Sequence, residues 1–279
     1  MTLKKIHIMM VISVLLISSC HQHNEISSTN DVISASEIIT QISYNKNLII
    51  KEKTIKDAIN FVSIKSSSLL GSIYIEPVIC FINCTFEDSI SAYTKNEKCV
   101  FCKKVVFQDC HFQKGICFQN AEFRDDVLMD ASKIEGVAAF DGAVFRSKAS
   151  FNNSNFMNRA TFSSTTFFMG ADFYKSFFKK DCIFHFTKFN DFAKFMGSYF
   201  YGYTDFSQIF SSSILDFSTS KFSGETSLSY STLLGDVLFP YCKFNKELKF
   251  ANNVVLGEVK LRNIEGITVD ITNNKMFNN

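Results

Sequence analysis

Thiols are the groups in this chain with the most chemistry to offer. Nine cysteines are present. Cys99-Val100-Phe101-Cys102, followed by Cys110 and Cys117, has the close spacing from which four thiolates could surround a tetrahedral zinc ion. The zinc reading fails on position. Cys84, Cys99, Cys110, Cys182 and Cys242 each stand two residues before a large apolar residue, in a slot that elsewhere holds Ala, Ser or Thr. A thiol there acts as a small buried hydrophobe. Cys80, Cys102 and Cys117 fall outside the slot and are the candidates for a disulfide. The histidines, His7, His21, His23, His111 and His185, are scattered, and His21 with His23 reads as part of a solvated tether. There is no nucleophile elbow, phosphate-binding loop, paired-carboxylate pattern or H-E-x-x-H. Asp172, Asp181, Asp191, Asp205 and Asp216 recur where the chain should turn, which accounts for them. No metal, no cofactor and no catalytic residue is expected. An enzyme with a site in an outer groove is the alternative, to be recognised by a polar pocket there.

Cys20 stands apart from the other eight. A basic start (Lys4, Lys5) leads into an apolar run from Ile6 to Ile17, too short to span a bilayer and of the length of a secretory signal. The run ends Leu16-Ile17-Ser18-Ser19-Cys20, which resembles a bacterial lipobox, with Ile17 where Leu is more usual. The resemblance implies export, cleavage before Cys20, and acylation of that cysteine as a membrane anchor, since stable anchoring needs more than one chain. His21 rather than Asp follows, so in a Gram-negative cell the resemblance implies the outer membrane, on its periplasmic or surface face. An ordinary signal peptide with an incidental Cys20 is the plainer reading. Residues 1–19 are thus expected to be a signal peptide, and 20–34 a lipidated cysteine with a polar tether. A disulfide among Cys80, Cys102 and Cys117 suits an oxidising compartment.

Outward aromatic residues are the other candidate for function. Phe177 and Tyr199 are separated by the same interval as Lys179 and Tyr201. With Phe168 and Tyr203 they form a candidate patch for a protein or glycan partner. Harmless cross-strand stacking is the plainer alternative.

All of these groups hang on one pattern. From Phe101, strides of six and five residues in strict alternation reach Leu261 through 30 positions, of which 23 are Phe and one, Ser211, is polar. A period of this kind, sustained from Phe101 to Leu261, means a stacked-repeat architecture. The residue two before each step is small, as at Ala138, Ala149, Ser154, Thr165 and Ser176, so a small and a large side chain point inward together on each short extended segment. Segments entered by a six-step favour Ala or Val in the slot (Val105, Ala160, Ala171), and those entered by a five-step favour hydroxyls (Ser132, Thr187, Ser198). Two kinds of side therefore alternate, and a four-sided coil repeats after two double strides, the interval from Phe177 to Tyr199. With four sides to a coil, the ladder makes roughly 7.5 coils and a rod roughly 36 Å long.

Phe140-Asp141-Gly142-Ala143-Val144-Phe145, Phe151-Asn152-Asn153-Ser154-Asn155-Phe156 and Ala171-Asp172-Phe173 resemble the pentapeptide-repeat proteins in their Phe-centred form. The resemblance covers about two thirds of the chain. It implies an all-β fold, a right-handed quadrilateral β-helix, and it carries little information about function. The segment from Ser34 to Phe61 resembles the helix-and-strand lead-in of such proteins, with Ser34 and Glu37 at capping-box spacing and Ile38, Ile39 and Ile42 on one face. Residues 35–75 are expected to be an N-terminal cap, 76–266 the β-helix with an outward loop at 88–98, and 267–279 a C-terminal tail with no evident capping helix, which leaves end-to-end pairing into a homodimer open.

The formal net charge of the chain is +2, and residues 101–262 have 19 Lys or Arg against 16 Asp or Glu, interspersed. Some pentapeptide-repeat proteins mimic DNA and interact with topoisomerases. They are cytoplasmic and strongly acidic, and this chain has neither property, so no nucleic acid is expected as a partner. The expectation is a non-catalytic envelope lipoprotein, bound to the membrane by its lipid, whose β-helix serves as a binding or scaffold module.

Overall fold

The computed structural model describes residues 31–64, 71–93, 95–266 and 269–277. The signal region, Cys20 and most of the tether lie outside them. Four parallel sheets enclose one axis, and each carries ten described strands. The chain visits the faces in turn. Leu48–Lys51 opens the first, Thr54–Ile55 lies on the second, Ile59–Asn60 on the third and Ser72–Ile75 on the fourth, after which Ile79–Ile82 returns to the first one coil on. The fold is an all-β solenoid with one short N-terminal helix.

Most strands are two residues long because each side of the coil is only five or six residues and must turn at its end. Two of the four corners use the left-handed backbone region. One column of such residues contains Asn153, Lys175, Gly197 and Thr219, and the diagonally opposite column contains Gly142, Ser164, Phe186 and Gln208. Gly197 takes φ +66 without strain, whereas Lys175 and Phe186 hold φ 54 and 57 against the cost of a Cβ there.

Along the axis the phenylalanines stack. Phe156 lies 4.8 Å from Phe178 with parallel rings, and Phe162 lies 4.7 Å from Phe184. Neighbouring columns meet edge to face, as Phe151 does with Phe162 at 5.6 Å and 80°. The offset-parallel and perpendicular arrangements are the two that the ring quadrupole favours. The slot residues are buried beside them, mostly Ala or Val on the first face (Ala149, Ala171, Ala193) and Ser on the second (Ser132, Ser154, Ser176, Ser198). The third and fourth mix the two kinds, with Ala160 and Thr204 on the third and Ala143 and Thr165 on the fourth. The buried hydroxyls are satisfied by the coil stack itself. Ser176 Oγ donates to the Phe151 carbonyl at 2.6 Å, and Ser198 Oγ donates to that of Phe173 at 2.6 Å while accepting from Ser176 N at 3.1 Å.

At its ends the fold extends past the expected boundaries. α1 (Ala35–Ser43) forms as expected, with Glu37 N donating to Ser34 Oγ at 3.2 Å and Ile38 and Ile42 buried. Residues 48–60 are coil rather than lid: Ile50 pairs with Phe81, Ile55 with Phe86 and Ile59 with Ile90. The early coils are simply built of Ile and Leu instead of Phe. In the expected loop at 88–98, Ile90–Ser91 is a strand of the third face. The excursion is confined to the residues before Lys98. Thr85 still needs a longer coil to reach its partner His111, whereas Val100 reaches Glu122 by the coil length of the ladder. The tail also joins the stack: Val269–Asp270 pairs with Leu248–Lys249, and Lys275–Met276 with Val254–Val255. One residue has been lost from the period in this last coil, which takes these strands out of the six-and-five count.

Candidate binding surfaces

Every Phe on the ladder is buried, so chemistry is left to the outward residues. Among the described residues no two cysteines are joined in a disulfide. Cys84, Cys99, Cys110, Cys182 and Cys242 face the axis and are buried, and desolvation pushes the thiols of Cys99 and Cys242 up to about 12. Cys80 points outward on the first face, where it packs with Ile49 and Val106 in a small apolar cluster. Cys117 lies on the third face, and Cys102 follows the last strand residue of the fourth before the chain turns. The three candidates for a disulfide are thus spread over different sides of the rod and are not brought together. Burial, ahead of nearby carboxylates, pushes the Cys102 and Cys117 thiols up.

The aromatic patch divides. Phe177 and Tyr199 pair in register on the second face, with ring centroids 5.5 Å apart. Tyr199 also meets Tyr201 edge to face at 6.0 Å, and its hydroxyl lies 3.1 Å from Ser223 Oγ. Tyr201 is 58% exposed and Tyr203, at the start of the third face, 40%. Tyr203 N donates to Asp181 Oδ1 at 3.1 Å, and burial followed by the charges of Asp205, Glu225 and Asp181 raises its phenol. Lys179 is exposed on the same side. Phe168 is not part of this strip. It follows Thr166–Phe167 on the fourth face, opposite the second, where the Arg146 guanidinium lies 4.8 Å from its ring.

Two polar groupings on the third face resemble sites and are structural. Asp141 borders a shallow hollow of about 360 Å³ lined by Tyr93, Gln119 and Ser163 among others. Its carboxylate already accepts from Thr161 Oγ1, from Ser163 N at 3.1 Å and from Gln119 Nε2 at 2.9 Å. Ser207 lies 2.8 Å from His185 Nδ1, the spacing of a nucleophile and its base. The Ser207 hydroxyl, however, donates to Asp205 Oδ1 at 2.5 Å. Its oxygen is left to accept from the imidazole N–H, the reverse of the polarity that would activate it. Among the described residues no group of three His, Cys, Asp or Glu converges as a metal site.

One cluster was invisible in the sequence. On the fourth face Glu122, its side chain 10% exposed, is met by Lys98 Nζ at 2.6 Å, Arg146 Nε at 3.3 Å and Arg124 Nε at 3.4 Å. Burial alone would raise this carboxyl, but the hydrogen bonds and charges of Lys98 and Arg146 outweigh it and hold the group below the usual range. Lys98 lies one coil before Glu122 and Arg146 one coil after it, and they meet only because coils stack in register.

Compared with protein-family models, curated proteins and solved structures, the chain matches none.

Proposed function

We propose that this chain is an exported, lipid-anchored envelope protein whose β-solenoid acts as a non-catalytic binding or scaffold module. The observation that carries the reading is the division of labour in the rod. An axis that is apolar at every ladder position but Ser211 consumes the repeat, and the outward groups with catalytic spacing are engaged in hydrogen bonds within and between coils. A surface of regularly spaced side chains on a stiff support suits recognition. The Phe-centred four-sided coil supports membership of the pentapeptide-repeat proteins, and Leu16 to Cys20 supports acylation at Cys20 with delivery to the outer membrane.

The contact surface in this reading is the strip of Phe177, Tyr199, Tyr201 and Tyr203 with Lys179. Adjacent rings, two half-buried (Phe177, Tyr199) and two exposed (Tyr201, Tyr203), give a partner apolar area with little side-chain entropy to lose, and the phenols add directional hydrogen bonds. The partner is a protein or glycan of the envelope. Replacing Tyr199 and Tyr201 by Ser should abolish co-purification of that partner from envelope extracts while leaving the melting temperature within a few degrees. Retained co-purification by the folded double variant refutes the strip as the contact surface.

A further inference from the structure

The fourth face carries a second surface, opposite the aromatic strip and independent of it. Arg124 and Arg146 occupy equivalent positions on adjacent rungs, since Glu122 and Val144 pair directly. Their backbone positions therefore lie roughly 4.8 Å apart along the rod. Each is tied by its Nε to the same Glu122 oxygen, at 3.4 and 3.3 Å. Each is also steadied by a ring, Arg124 over Tyr74 at 5.4 Å and Arg146 over Phe168 at 4.8 Å. Glu122 on one side and a ring on the other thus hold each planar group in place. Both side chains are 48% exposed and engage Glu122 through Nε, and each guanidinium carries further N–H donors on its two terminal nitrogens.

Charge selects the ligand. Lys98, Arg124 and Arg146 surround one carboxylate, which leaves an excess of two positive charges in the cluster. Glu76 is the nearest acid in the same column, beside Cys102 and two rungs below Arg124, on the order of 10 Å away. Two like charges on adjacent rungs repel, and an anion that accepts from both forks removes that repulsion. A carboxylate supplies one negative charge. A phosphomonoester supplies about 1.5 to 2 near neutral pH and three acceptor oxygens, which matches both the charge and the donors. Beyond the guanidiniums the column continues into Phe168, 39% exposed, with Met169 beside it and then the exposed Asn190. An apolar ring edge followed by an amide is suited to the C–H face and hydroxyls of a sugar.

We infer that Arg124 and Arg146, backed by Glu122 and Lys98 and extended by Phe168, bind the phosphomonoester of a phosphorylated saccharide. The two forks take the phosphate, and the Phe168 side takes the sugar.

Titration calorimetry on the folded chain with glucose 1-phosphate, inorganic phosphate, glucuronate and glucose tests the inference. Glucose 1-phosphate should bind at least about ten-fold tighter than any of the other three, because only it offers both the dianion and the ring. Arg124→Gln with Arg146→Gln should lose that binding, and Phe168→Ser should bring glucose 1-phosphate down to the level of inorganic phosphate. Should the double Gln variant unfold, Arg124→Lys with Arg146→Lys keeps the charge, loses the forks, and is expected to weaken binding about ten-fold. Equal binding of glucose 1-phosphate and inorganic phosphate, no binding by the unmodified chain, or binding unaffected by the arginine substitutions overturns the inference.

Discussion

Phe173 tests the axial stack at its most crowded point. Its ring is fully buried and lies parallel to Phe151 at 4.8 Å and to Phe195 at 4.9 Å, with Phe162 and Phe184 edge-on at 5.3 and 5.4 Å. Truncation to Ala opens a cavity that neighbours on hydrogen-bonded rungs cannot collapse to fill. The expected cost of Phe173→Ala is therefore about 3–5 kcal/mol, combining lost transfer free energy and the cavity. For a chain of this size each kcal/mol moves the melting temperature by about 2–4 °C, so the midpoint should fall by roughly 6–20 °C. Lys175, two residues on, is exposed at a left-handed corner that Asp tolerates. Lys175→Asp should stay within about 0.5 kcal/mol of the parent. Thermal melting followed by circular dichroism compares the two, and hydrogen exchange locates the damage. Because each coil touches only its neighbours, lost protection should centre on the coils between Phe151 and Phe195. Equal melting temperatures for Phe173→Ala and Lys175→Asp would refute the inward assignment of the ladder.

The thiols and Glu122 give two further tests. In the native protein at neutral pH, a charged alkylating reagent should modify Cys102 and Cys117 slowly and faster as pH rises, since burial raises both thiols. Cys99, Cys182 and Cys242 should react only after unfolding, and rapid native labelling of Cys182 would contradict its axial position. Mass measured with and without reductant should show no change attributable to a bridge between Cys80 and Cys117, which point outward from opposite faces. The Glu122 carboxyl is depressed in the folded state, so its ion pairs contribute stability above the ordinary carboxyl range. That contribution is lost as pH falls through the depressed value. Glu122→Gln should lower the melting temperature at pH 7 and flatten its fall on acidification, and an unchanged acid profile would show that the cluster does not stabilise the rod.

Much of the architecture was legible because its cause is local. Phe151, Ser154 and Phe156 declare two inward neighbours and a slot within one short stride, and the same statement recurs at every step. The alternation of Ala149 with Ser154 separated two kinds of face, and the structure keeps that difference between the first and second sides, while the third and fourth mix the two kinds. What was lost depended on more than one coil. The six-and-five stride repeats every two sides, whereas the coil closes only after four, so the stride cannot tell a face from the one opposite. Phe168 and Lys179, one double stride apart, were grouped on one side and lie on two. Ile50 and Ile55 reach their partners Phe81 and Phe86 by a longer coil, and Leu248 reaches Val269 by a shorter one, so neither segment kept step with the ladder. The Glu122 cluster has no local signature. Lys98, Glu122 and Arg146 are ordinary surface residues until stacking in register sets them side by side.

The claim that this rod serves the cell envelope rests most heavily on the fate of Cys20, which lies outside the described residues. Metabolic labelling with radioactive palmitate in a bacterial host, comparing the full chain with Cys20→Ala, measures it directly. Label is expected on the membrane-associated parent, with the variant unlabelled and no longer held at the membrane. Absence of label from the parent, or equal label in the variant, would contradict it.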